Sequence, residues 1–131
     1  MSTKRQRAAA VIVRDGFLLV VKRVRSHKRY FVLPGGGVED GETIEEACVR
    51  EVLEETGLTA AIRKTLCELE NERQREHYFL VTVVSGVPII GWPEVNRQSS
   101  ESQSHLEWIQ QLDLLQPAEM RQVCVDCLTL M

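Results

Sequence analysis

Short apolar runs separated by turn residues set the pattern of the N-terminal third of the chain. Residues 8–13 and 17–24 are two such runs of strand length, and Arg14-Asp15-Gly16 between them contains the Asp-Gly pair that favours a tight hairpin turn. Residues 30–33 predict a third short strand ending at Pro34, after a basic connection over 25–29. A helix is expected over 43–56, because Thr43 and Glu46 form a T-x-x-E capping box and Gly57 stands where a C-terminal cap belongs. Residues 58–69 predict a strand, with a bend, and 70–76 a loop or strand extension. The best strand is 77–84, rich in β-branched and aromatic residues, with Tyr78 and Phe79 expected in the core or on a sheet face. Residues 85–104 change character, with Gly86, Pro88, Gly91, Pro93 and several serines, and predict a long loop. A short strand resumes at 106–109, and Pro117 opens a last amphipathic helix to about Leu130. Strands with two intervening or flanking helices indicate a mixed α/β layer structure.

Composition narrows the class. The 131 residues are 44% hydrophobic and 27% charged, which fits one domain over 1–131 and excludes a disordered chain. No apolar run approaches the roughly 18 residues needed to span a bilayer. Lys4, Arg5 and Arg7 precede an apolar stretch of only six residues, too short for a signal-peptide core, so a cytoplasmic location is expected. Cys48, Cys67, Cys124 and Cys127 are then expected to stay reduced. Cys124 and Cys127 form a CxxC, but His27, His77 and His105 are scattered, and buried thiols are a better reading than a zinc site.

The net charge of −3 conceals a segregation. Residues 1–35 carry nine Lys/Arg against one Asp, whereas 36–57 carry eight Asp/Glu against Arg50 alone. On a helical wheel with Ile44 at 0°, Ala47 and Cys48 fall at about 300° and 40° and form an apolar seam. Glu51, Glu54 and Glu55 fall at about 340°, 280° and 20° on that same seam, with Glu46 and Arg50 on the opposite side at about 200° and 240°. Carboxylates at i, i+3 and i+4 repel one another, and they crowd the end of the helix whose dipole disfavours anions. A hard divalent cation such as Mg²⁺ or Mn²⁺ would reverse that penalty; the alternative is a charged surface that merely clusters. The preceding Gly35-Gly36-Gly37 favours the first reading, since glycines let backbone approach a ligand closely.

The segment reads Gly36-x5-Glu42-x7-Arg50-Glu51-Val52-x-Glu54-Glu55-x-Gly57-Leu58, nine fixed positions within 23 residues. It resembles the signature of the Nudix hydrolase family at every fixed position. Phe31-Val32-Leu33-Pro34-Gly35-Gly36 resembles the family's lead-in, and Glu107-Trp108-Ile109 its late strand. The resemblance implies an α/β fold, an α/β/α sandwich around a central mixed sheet, and hydrolysis of a phosphoanhydride in a nucleoside diphosphate linked to another group. It further implies that Glu54 and Glu55 are the main ligands of Mg²⁺ (or Mn²⁺). Glu51 would be a ligand or the base for the attacking water, and a carbonyl of Gly35 or Gly36 would complete the shell. Glu42 and Arg50 would be an ion pair orienting the helix. Some members recruit another acid from the loop before the last strand, for which Glu101 is the candidate beside the plain reading of a solvated acid. Arg23, Arg25 and Arg29, with Lys28, are candidates for binding substrate phosphates, against a solvated surface. Trp92 is a candidate for stacking on a nucleobase or for packing in a Gly-Trp-Pro turn.

The expected substrate is a small nucleotide. A nucleoside triphosphate leads, with a nucleotide sugar or other linked metabolite as the alternative and a non-catalytic nucleotide-sensing module as the reading of another class. Residues 73–75, Arg-Gln-Arg, lack the Pro or Tyr by which subgroups specific for ADP-ribose or dinucleoside polyphosphates resemble one another. Nucleic acid is set aside because no aromatic-rich binding motif accompanies the basic block, no membrane partner is expected, and a homodimer is compatible with the reading.

Overall fold

Continuous rather than alternating apolar runs mark the central strands, because both faces of those strands are covered. The computed structural model describes residues 4–89 and 102–129. In chain order they form β1 (Arg5–Val11), β2 (Val13–Arg14), β3 (Phe17–Arg25), β4 (Lys28–Val32), β5 (Gly35–Gly37), α1 (Ile44–Thr56), β6 (Thr59–Glu70), β7 (Gln74–Ser85), β8 (Ser102–Ile109), β9 (Leu115–Gln116) and α2 (Met120–Thr129). The chain divides into two units, Met1–Ile12 with Pro34–Val87 and Val13–Leu33 with Pro88–Met131. The expected α/β class and mixed strand pairing are both present, with the strands divided between two sheets.

In the first unit the sheet order is β5-β1-β7-β6. β1 runs antiparallel to β5 and parallel to β7, and β6 is antiparallel to β7. Ala8 to Ile12 are all buried, as are Tyr78 to Val81 of β7 and Ala47, Cys48 and Val52 of α1. The three alanines keep β1 thin, so β5 lies close against it: a Cβ on Gly35 would overlap the Ala8 carbonyl and the Ala9 backbone. β6 is irregular as expected, with register shifts after Thr59, Ile62 and Thr65. The Asn71 side chain accepts from the amides of Arg73 (2.8 Å) and Gln74 (3.0 Å) to close the turn into β7.

Here the hairpin expected from runs 8–13 and 17–24 is corrected. β1 pairs with β7, from Arg5↔Gln74 to Val11↔Leu80, and only Val13 and Arg14 fold back on Leu18 and Phe17. The Asp15–Gly16 turn forms where expected, with φ of 52° and 82°, but it joins a two-residue strand to β3. A local turn signal fixes the reversal without fixing how far the preceding run follows it.

In the second unit β3 is central, flanked by β8 along one edge and by β2 and β4 along the other, with β9 parallel to β4. Leu18 to Val21, Leu106, Ile109, Leu112, Leu115, Met120, Cys124 and Cys127 are its buried residues, together with Leu33. Met120, Cys124 and Cys127 form one stripe of α2, as the buried-thiol reading expects. That helix starts at Met120, three residues beyond Pro117, because β9 and a turn occupy the approach. The basic connection expected at 25–29 is instead a tight hairpin. Arg25 pairs with Lys28, and Ser26 and His27 both take the left-handed conformation (φ 51° and 67°) that a two-residue hairpin loop requires. Among the described residues no helix is long and apolar enough to cross a membrane. Trp92 and Glu101, and most of the expected loop over 85–104, lie outside the described residues.

Candidate functional site

The acidic helix is delimited as its sequence dictates. Thr43 accepts from the Glu46 amide at 3.0 Å, and Glu46 reaches back to the Thr43 amide at 2.8 Å. Gly57, at φ 81°, donates to the Leu53 carbonyl and ends the helix in the left-handed cap that a side chain would strain. Such a box contributes about 1 kcal/mol to holding the first turn.

The buried stripe of α1 is Ala47, Cys48, Val52 and Thr56. It does not turn acidic halfway, as the wheel suggested. It continues through Val52 and Thr56, whose hydroxyl donates to the Val52 carbonyl at 2.6 Å, and the glutamates lie along its margin. That margin faces β5. Glu51 is seated so closely on Gly36 that a Cβ there would overlap its carboxylate, and Glu55 accepts from the Gly35 amide at 2.8 Å. Glu54 projects outward, its side chain 57% exposed against 16% for Glu51.

Strand register decides which glycine backbone is free to take part. The bonds from Ala10 to the Pro34 carbonyl and from Val38 to the Gln6 carbonyl fix the alternation of the β1–β5 ladder. Alternation then commits Gly36, opposite Ala8, to the ladder and turns the amides and carbonyls of Gly35 and Gly37 away from β1. Of the two carbonyls the sequence offered, that of Gly36 is committed to the ladder and that of Gly35 is turned away from it, while Gly36 lacks a side chain where Glu51 is seated.

Arg50 organises the acids. It grips Glu42 with two bonds of 2.7 and 3.0 Å, donates to the Gly37 carbonyl at 2.9 Å, and reaches Glu51 at 2.8 Å and Glu54 at 3.2 Å. The wheel had put Arg50 on the opposite side of the helix. Its long side chain curls across the 100° to Glu51, an orientation set by the bidentate fit to Glu42. Arg50 beside Glu42, helped by the bond from the Glu39 amide, holds that carboxyl below its usual value. Reciprocally, Glu42 and then Glu51 raise the Arg50 guanidinium further above neutrality. Glu39 also lies 3.5 Å from Arg50. Sequence reasoning gave neither Glu39 nor the Gly37 carbonyl a part, because no local pattern announces a contact made by a long side chain across a turn. Burial pushes the thiol of Cys48, on the buried stripe of α1, up to about 12, which keeps it neutral and unreactive.

Four carboxylates, Glu39, Glu42, Glu51 and Glu54, thus surround one guanidinium. As they stand, no three His, Cys, Asp or Glu side chains among the described residues converge to hold a metal. Glu51 and Glu54 meet at an Arg50 nitrogen, and Glu55 is turned to Gly35. The chemistry nevertheless fits a hard cation: the donors are all oxygen, and a positive group already occupies the point that Glu51 and Glu54 share.

The basic block divides in two. Lys4 pairs with Glu70 at 2.9 Å and Arg7 with Glu76 at 2.7 Å, where the Tyr78 hydroxyl also donates at 2.6 Å. Burial, and then the Glu76 carboxylate, raise the Tyr78 phenol well above its usual range. Arg14 lies 5.7 Å over the Trp108 ring. Lys22, Arg23, Arg25, Lys28 and Arg29 make no ion pair among the described residues. Of the three arginines expected to act together, Arg23 and Arg25 share one face of the β3–β4 hairpin and Arg29 lies on the other.

Comparison with known proteins adds to this geometry. The NUDIX domain family matches residues 4–125. An ADP-ribose pyrophosphatase of Methanocaldococcus jannaschii is 38% identical over 82 residues, 62% of this chain and 48% of that protein. An RNA pyrophosphohydrolase of Sphingopyxis alaskensis is 35% identical over 66 residues, 50% of this chain and 39% of that protein. The chain thus spans about half the length, or less, of these curated relatives. A MutT NUDIX hydrolase structure from Burkholderia pseudomallei superimposes with a TM-score of 0.69 at 26% identity, over 95% of this chain and 98% of that one. A NUDIX hydrolase structure from Nitrosomonas europaea, 24% identical, shares the fold with a TM-score of 0.71, over 95% and 87% of the two chains.

Proposed function

The chain belongs to the NUDIX domain family, and on that premise we propose that it is a divalent-metal-dependent pyrophosphohydrolase. Its substrate class is a nucleoside diphosphate linked to another group, with a nucleoside triphosphate first among the candidates. The observation that carries the reading is the seating of Glu51 on Gly36, beside Glu54 and Glu55 and under the fork of Arg50. The family match runs through both units, which supports reading 1–131 as one domain.

In this reading Glu51, Glu54, Glu55 and the Gly35 carbonyl would hold Mg²⁺ or Mn²⁺. When bound, the ion supplies charge neutralisation at the phosphoanhydride and a lower pKa for water. The rest is done by the chain's own groups. Arg50 is a positioning residue: its bidentate hold on Glu42 and its bond to Gly37 fix α1 against β5. Glu51, held against Gly36, is placed either to take the proton of the attacking water or to serve as a ligand. Glu54, exposed and tethered among the described residues only through Arg50, would be free to turn toward the substrate. Four carboxylates around one guanidinium, with Glu55 on the same helix margin, repel phosphate, so nucleotide binding is expected to require the cation.

The test is a panel of nucleoside triphosphates, ADP-ribose, a nucleotide sugar and a 5′-triphosphorylated RNA with Mg²⁺. Turnover should fall by about a hundredfold or more in Glu54→Gln. Absence of turnover with tight nucleotide binding would replace the enzyme by a sensing module. The relative named as an ADP-ribose pyrophosphatase supports the linked-metabolite alternative, and a higher kcat/KM on ADP-ribose than on any triphosphate would decide for it. Mg²⁺ should also raise Tm, and Glu55→Gln should shrink that rise; an unchanged response removes Glu55 from the ligand set.

A further inference from the structure

The β3–β4 hairpin holds a second concentration of charge, with no ion-pair partner among the described residues. The register places Arg23 opposite Tyr30 and Arg25 opposite Lys28. Side chains two apart on a strand share a face, so Arg23, Arg25, Lys28 and Tyr30 form one patch. Neighbours along each strand are about 6.6 Å apart, and partners across it about 5 Å. The adjoining strand β8 places Ser102 and Ser104 opposite Arg25 and Arg23. The acidic residue of β8, Glu107, is paired with Val20 and falls on the other face. None of the three cations has an ion pair among the described residues, and the Nε of Arg23 is shielded from solvent without a hydrogen-bond partner. By contrast, Lys4 and Arg7 of the same basic block are neutralised by acids of β6 and β7.

Cations packed together without acids repel one another, and a protein that only needed solubility could intersperse both signs. What offsets the repulsion is a partner carrying several negative charges. The ring of Tyr30 among the cations adds a flat surface on which a base can stack, and stacking is indifferent to sequence. The tip of the hairpin is Ser26–His27, polar and without the apolar residues that would insert into a lipid surface. The geometry points to this face as a contact surface for single-stranded nucleic acid: Arg23, Arg25 and Lys28 on successive phosphates and Tyr30 under a base. Nucleic acid is set aside on the sequence because no aromatic-rich binding motif accompanies the basic block. Tyr30 follows Lys28 by two positions, and only the pairing of β3 with β4 brings it among the three cations. This proposal does not depend on the hydrolase reading, because it concerns binding alone.

The experiment measures fluorescence anisotropy of a labelled single-stranded RNA 12-mer with a 5′-hydroxyl, which offers no phosphoanhydride to cleave. Affinity should fall with salt, with a slope of about 0.7 per phosphate contact. Arg25→Gln/Lys28→Gln should lower that slope by about 1.4. Tyr30→Leu should weaken binding about tenfold and Tyr30→Phe should preserve it, as loss and retention of one stacked base require. The same charge removal on the opposite face, Lys22→Gln/Arg29→Gln, should lower the slope by less. Equal losses from the two double variants, or an unchanged slope in Arg25→Gln/Lys28→Gln, would overturn the assignment to this face. Co-sedimentation with phosphatidylserine vesicles in the absence of RNA binding would overturn it in favour of a membrane surface. A wild-type Tm in each variant confirms that the fold is intact.

Discussion

The α1–β5 region and the β3–β4 hairpin are each dominated by one sign of charge, yet they handle it in opposite ways. Along α1 the acids are tied down. One arginine contacts Glu39, Glu42, Glu51 and Glu54, while Glu55 is bonded to backbone. On the hairpin five cations carry no ion pair among the described residues, and three of them crowd one face. The first arrangement fixes a geometry at the expense of leaving net charge in place. The second leaves the charges accessible. A site that must hold atoms at set positions needs the first; a surface that must accept a flexible polyanion is served by the second.

Removing charge should therefore have opposite consequences in the two regions. The largest effect is expected from Arg50→Ala, which strands Glu42 and Glu51, both mostly buried, and should cost about 2 kcal/mol in urea denaturation. A loss below about 0.5 kcal/mol would mean that the helix is positioned without its arginine. The effect of Glu42→Gln should be smaller and depend on pH. Its carboxyl is held below the ordinary value of 4.5, so its stabilisation is complete above that value and lost as pH falls through the lowered one. The Tm gap between Glu42→Gln and the wild type should be open at pH 7 and narrow as pH falls below 4.5; a gap that does not change with pH points to packing instead. The smallest effect belongs to the hairpin. Arg25→Gln/Lys28→Gln should leave stability within about 0.5 kcal/mol of the wild type or raise it slightly, since exposed like charges are being removed. A clear loss there would show that these cations are structural and would erase the distinction.

Much of the first region was legible in the residues. Thr43, Glu46 and Gly57 delimit α1 because a cap acts within one turn of the chain, and the acids at i, i+3 and i+4 necessarily share a side. The fine placement was not legible. The wheel put Arg50 away from Glu51 and Glu55 because it represents each residue by its Cα direction, and a guanidinium reaches well beyond that. Nor could the residues alone tell which carbonyl, Gly35 or Gly36, is taken up by β1; hydrogen-bond alternation commits that of Gly36. The hairpin was less legible still. Residues 25–29 carry no strong turn signal, since Ser26 and His27 take a conformation more usual for Asn or Gly, and so two strands and their shared face were hidden in a basic run.

The sequence by itself determined the elements whose causes are local: the capped helix, the Asp15–Gly16 turn, the strand at 77–84 and the spacing of the signature from Gly36 to Leu58. Tertiary structure decided everything that depends on which distant segment becomes a neighbour. It paired β1 with β7 rather than with β3, set Glu51 on Gly36, curled Arg50 over the acids and gathered Arg23, Arg25, Lys28 and Tyr30 on one face. The division follows from range. Caps and turns act over a few residues and are written where they operate, whereas register and facing are set by burial and pairing between strands far apart in the chain.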